Sequence, residues 1–129
     1  MSRSPQQEAL DALLAEADRM VPSITARGVM ALAAEMPELL VIDVRDRDEY
    51  GSCHIRRSIH ISRGQLEFHI EDVAPELSHP MLLVDRAGAR SLLAARALQA
   101  MGYTHVFVLQ GGLDAWLQEG LPVSSGWTV

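Results

Sequence analysis

The residues best suited to chemistry lie in one short run, Asp85-Arg86-Ala87-Gly88-Ala89-Arg90-Ser91. It follows four apolar residues, Met81 to Val84, that read as a buried strand. It precedes a segment from Ser91 onward that reads as a helix, with Leu92, Leu93, Ala95 and Ala97 available for packing. A glycine-containing loop between a strand end and a helix N-terminus collects inward-pointing backbone N–H groups and the positive end of the helix dipole. Arg86 and Arg90 add positive potential. Such a loop suits a bound anion or a nucleophile of depressed pKa, yet its first position is Asp85, which brings a negative charge of its own.

A carboxylate can itself act as a nucleophile, as in aspartyl phosphates. That chemistry needs a metal or a lysine to neutralise the phosphoryl group, and all 11 basic residues here are arginines. Cys53 is the single thiol, which excludes an internal disulfide. It is open to two readings, a sulfur acceptor or a small side chain in a turn. His54, His60, His69, His79 and His105 form no short ligand pair, so no metal site is expected, and nothing implies a cofactor.

The surrounding elements follow from periodicity and punctuation. Leu10, Leu13, Leu14, Ala17 and Val21 repeat at helical spacing, predicting an amphipathic helix over 5–20 that Pro22 ends. Ser23 or Thr25 can cap a second helix reaching about Met36. Leu39 to Val44 is an apolar run of the kind buried on both faces of a parallel sheet. Arg45 to Tyr50 reads as a polar turn or short helix, Ser58 to Ile61 as a strand, Gln65 to Ile70 as a short helix, and Glu71 to His79 as a loop. The helix after the Asp85 loop should end near Met101-Gly102. His105 to Leu109 is another strand, Gln110-Gly111-Gly112 a turn, and Leu113 to Gln118 a closing helix. Apolar strands alternating with helices indicate an α/β fold. The expectation is a small parallel sheet of about five strands, helices on both faces, and a ligand crevice at the strands' carboxyl ends.

The 129 residues suffice for one domain with its own core. An apolar fraction of 48% with 22% charged residues fits a globular protein. A formal charge of −6 argues against nucleic acid as a partner. No apolar run is long enough to span a bilayer, and the N-terminus lacks a signal core, so a cytoplasmic protein without membrane contact is expected.

Three motifs in order carry a family resemblance. Asp43-Val44-Arg45 with Glu49-Tyr50 and His54-Ile55, then Val84-Asp85-Arg86-Ala87-Gly88-Ala89-Arg90-Ser91, then Leu109-Gln110-Gly111-Gly112-Leu113-Asp114-Ala115-Trp116 resemble the signature, active loop and closing motif of rhodanese-like domains. The resemblance divides the chain into an N-terminal helix over 1–22, a rhodanese-like domain over 23–123 and a tail over 124–129. It implies a sulfurtransferase whose loop cysteine becomes a persulfide, an anion that the amide cradle stabilises. That cysteine falls on Asp85, which has no sulfur.

A thiosulfate dianion in the loop would meet the Asp85 charge. Two like unit charges about 4 Å apart repel by roughly 4 kcal/mol at an effective dielectric of about 20. The expectation is therefore a catalytically silent binding or regulatory module, its loop amides taken up by Asp85 itself. Its partner would be a protein or a small anionic ligand. The alternative is an active sulfurtransferase using Cys53 or a partner's thiol.

Outside the loop, Arg56-Arg57-Ser58 replaces the family's usual Pro-Gly-Ala, giving either a basic docking edge or a solvated face. Asp43 and Arg45 are expected to tie loops together. Arg90 either meets a ligand or holds the loop through Asp85 or Glu49. Trp127 and the leading helix are surfaces open to contact with the domain itself or with a second copy in a homodimer.

Overall fold

The computed structural model describes residues 2–127 of the chain, so residues 128 and 129 of the expected tail lie outside the described residues. Helix α1 (Pro5–Met20) starts where Ser4 accepts the Gln7 N–H and Gln7 answers with its side chain, a capping box with proline in the first turn. Strand β1 (Ser23–Ile24) and helix α2 (Ala26–Glu35) follow. Thr25 rather than Ser23 caps α2, accepting the Gly28 N–H at 3.1 Å. Ser23 is instead drawn into the sheet, where it pairs with Val108.

Strand β2 (Leu40–Asp43) leads into α3 (Arg47–Ser52), so the polar segment after it is a helix. Strands β3 (His54–Ile55) and β4 (Ile59–His60) precede a 3-10 turn at Arg63–Gln65 and helix α4 (Leu66–Val73). Helix α4 runs past the expected end at Ile70. It stops at Ala74, since Pro75 disfavours helical geometry in the residue before it. Strand β5 (Met81–Val84), helix α5 (Ala89–Ala100), strand β6 (Val106–Leu109), helix α6 (Gly112–Gln118) and strand β7 (Val123–Ser124) complete the order.

Five strands form one parallel sheet in the order β1-β6-β5-β2-β4, the α/β architecture expected. The sheet's two faces carry separate cores. Ile42, Met81, Leu83, Val106 and Val108 meet Leu66 and Ile70 of α4 and Ala94, Ala95 and Leu98 of α5. Leu82, Val84 and Leu109 meet Ala26 and Val29 of α2 and Leu113 and Trp116 of α6. Helix α1 lies against α5, joined by Arg96–Glu16 at 2.9 Å and by Gln99 donating to the Met20 carbonyl.

The sequence gives no sign of a second, antiparallel ribbon. Strand β3 pairs with β7, matching His54 with Ser124 and Ile55 with Val123. Two-residue strands have no periodicity to read. The ribbon is held from outside, by the Arg56 N–H on the Pro122 carbonyl and the Trp116 indole N–H on the same oxygen.

Candidate functional site

Strand β5 ends at Val84, and the next residue, Asp85, is 2% exposed at the carboxyl edge of the sheet. Its carboxylate turns back into the loop that it begins. Oδ1 accepts the Gly88 N–H at 2.6 Å and Oδ2 accepts the Arg90 N–H at 2.7 Å. These are short, charge-assisted bonds. The Ser91 hydroxyl lies 3.1 Å from Oδ1 and 2.9 Å from the Gly88 carbonyl, dividing its one proton between them. The Arg90 Nε stands 3.9 Å from Oδ2. Asp85 thus fills the concavity that its own loop makes.

Helix α5 begins two residues earlier than the sequence suggests. Gly88 at φ +116° turns the chain into the helix, and Asp85 satisfies the Arg90 N–H that the first turn leaves unpaired. Ala89 and Arg90 therefore belong to the helix. Arg86, Ala87, Ala89 and Arg90 are exposed on the rim, Gly88 is half-buried and Ser91 is fully buried.

The loop is braced from behind. Leu113 and Asp114, in the first turn of α6, donate their N–H groups to the carbonyls of Asp85 and Arg86 at 2.8 and 3.0 Å. This approach requires glycine at 112, where a Cβ would lie 2.5 Å from the Arg86 carbonyl carbon and oxygen. The side chains of Arg86 and Asp114 face each other at 3.6 Å.

The Arg90 guanidinium meets the Glu49 carboxylate with two bonds of 3.1 Å, fixing α3 against the loop. The Arg90 hydrogen bond holds the Glu49 carboxyl below its ordinary range, partly offset by burial; the bond to Glu49 in turn raises Arg90, again partly offset by burial.

Behind α3 lies a buried polar scaffold. Arg45 pairs with Asp43 through Nε and Nη2, and its Nη2 also reaches the Cys53 carbonyl. His60 Nε2 lies 2.7 Å from the Arg45 carbonyl, and His54 Nδ1 lies 2.7 Å from the Tyr50 carbonyl. A carbonyl only accepts, so each of those ring nitrogens carries the proton. Asp43 and Arg45 accordingly tie loops together. Cys53 sits half-buried at the end of α3, one turn beyond Glu49, and takes no part in the bonds around Asp85. Trp127 lies against its own domain, tilted on Tyr50 at 5.6 Å with Arg47 above its ring at 4.5 Å.

A cavity of about 430 Å³ opens beside the loop. Gly88, Ala89, Gln110 and Gly111 form its floor, and Leu14 and Asp18 of α1 form a wall. The sequence pointed to the loop and missed this wall. Leu14 carried a signal only as part of the helix's apolar stripe, and Asp18 carried none. Among the described residues no three His, Cys, Asp or Glu converge as metal ligands.

Residues 28–119 match the family model for the rhodanese-like domain. The chain belongs to the rhodanese-like domain family. Among curated relatives, the uncharacterized protein YibN of Escherichia coli is 28% identical over 104 residues, covering 80% of this chain and 73% of that protein. A sulfurtransferase of Allochromatium vinosum is 26% identical, covering 81% of this chain and 95% of the relative. Among solved structures, a protein of unknown function from Rhodopseudomonas palustris, described as a possible tyrosine phosphatase, superposes with a TM-score of 0.82 at 28% identity over 96% of both chains. The polysulfide-sulfur transferase homodimer of Wolinella succinogenes gives 0.79 at 27% identity, covering 94% and 90%.

Proposed function

We propose that this rhodanese-like domain is silent as a thiosulfate sulfurtransferase and serves as a binding or regulatory module. The observation that carries the reading is the Asp85 carboxylate, seated on the Gly88 and Arg90 N–H groups and beside the Ser91 hydroxyl. A carboxylate forms no persulfide. It also occupies donors that a sulfur-bearing anion would need, and its charge repels such an anion. Arg86 and Arg90 offset that repulsion only in part, each facing a carboxylate of its own in Asp114 and Glu49. The recognition surface is the rim Arg86 to Arg90 with the adjoining cavity walled by α1. Its occupant is a protein segment or a small ligand, and α1 is part of the site.

A second reading, sulfur transfer through Cys53, is favoured by relatives that are themselves sulfurtransferases. Cys53 lies outside the loop, with no donor set around Asp85 to share. Cyanolysis after incubation with thiosulfate separates the two. The silent module releases no thiocyanate from the protein. Release that disappears in Cys53→Ser would establish the second reading.

A further inference from the structure

The α2 face of the sheet is incompletely covered. Parallel strands are ordinarily buried on both faces, yet Val41, in the middle of β2, is only half-buried. Over it lies a groove of about 400 Å³ between α2 and the β3–β7 ribbon. Its walls are apolar: Met30 and Met36 on the helix side, Val41 and Leu39 on the floor, Ile55 and Trp116 opposite. Met30 is 43% exposed there.

Two cations stand on the lip. Arg56 and Arg57 both line the groove and are exposed, and neither takes part in an ion pair among the described residues. Arg57 adopts φ +70°, the one left-handed non-glycine residue among those described. Glycine fits that conformation without cost, whereas a residue with a Cβ does not. Backbone strain retained at a residue that faces a concavity points to use of its side chain. The Arg56 N–H on the Pro122 carbonyl fixes the turn that carries both arginines at the groove.

We propose that this groove binds a small amphiphile with an apolar body and a carboxylate head. The apolar walls take the body, and the Arg56–Arg57 pair takes the head in a bidentate contact. A volume of this size, apolar lining and a few polar groups at one end are the attributes of small-molecule sites. The site is separate from the Asp85 loop and does not rest on the function proposed for it.

The test is a titration of the 15N-labelled full chain with decanoate below its micelle concentration, followed by amide and indole shifts. The expected result is saturable shifts at Met30, Val41 and the Trp116 indole N–H, with a Kd of about 0.1–1 mM. The Arg56→Ala/Arg57→Gly double variant, which relieves the strain at 57 and keeps the fold, should weaken decanoate at least about tenfold. Decyltrimethylammonium, with the same chain and the opposite charge, should leave those signals unmoved. Shifts scattered over the whole surface, equal response to the two head groups, or undiminished binding by the double variant would overturn the proposal.

Discussion

Arg90 serves two carboxylates at once: its backbone N–H is bonded to Asp85 at 2.7 Å, while its guanidinium is committed to Glu49. A bound anion would be the natural partner of an arginine on this rim. Here both ends of Arg90 are engaged within the chain. The loop is therefore closed by internal charge on its inside and on its rim.

Removing the Asp85 carboxylate should expose the cradle. Asp85→Ala strips acceptors from the Gly88 and Arg90 N–H groups and the Ser91 hydroxyl, a loss of about 2 kcal/mol once water replaces part of the bonding. Sulfate should restore stability to this variant well beyond the general salting effect seen in the wild type. Urea unfolding with and without sulfate reads both. Equal sulfate dependence in the two proteins would mean that the amides do not form an anion site.

The Glu49–Arg90 pair sets a pH dependence. Arg90 lowers the Glu49 pKa in the folded chain, so the pair's contribution is present above the ordinary glutamate range. It is lost as pH falls through the depressed folded value. Both side chains are partly exposed, so the effect on stability is small. NMR titration of the Glu49 carboxyl carbon should show a midpoint below that of free glutamate, moving up in Arg90→Gln. An unmoved midpoint would show that Arg90 is not its partner in solution.

Gly112 carries the brace behind the loop. A Cβ there meets the Arg86 carbonyl at 2.5 Å, and φ is +60°. Gly112→Ala should destabilise the domain by about 3 kcal/mol, adding steric displacement to left-handed strain. Gly64→Ala, where the new methyl meets nothing within 4 Å, is the control. Chemical denaturation of the two variants makes the comparison, and equal midpoints would contradict the bracing role.

What the sequence made legible follows from local signals. The four-residue apolar strands β2, β5 and β6, the bounds of α1 and the Asp85 loop each had a strong one, in apolar runs, caps or glycine. Thr25 and Ser23 looked alike as caps, and only the pairing of Ser23 with Val108 separates them. The β3–β7 ribbon was illegible because His54 and Ser124 are brought together by the fold over 70 positions of sequence. In the site, Asp85 and Arg90 were legible as a loop and its charges. The sequence left Arg90 three options, a ligand, Asp85 or Glu49; the packing of α3 gives its side-chain hydrogen bonds to Glu49, with Asp85 at 3.9 Å. Leu14 and Asp18 were not visible as site residues, since only the docking of α1 on α5 places them beside Gly88.

The central claim is that this domain keeps the family's cradle and lacks its nucleophile. Thiosulfate-to-cyanide sulfur transfer, comparing the wild type with Asp85→Cys, tests it most directly. The expected result is no transfer by the wild type and measurable transfer by Asp85→Cys, whose thiolate would sit on the Gly88 and Arg90 N–H groups. Transfer by the wild type itself would contradict the account.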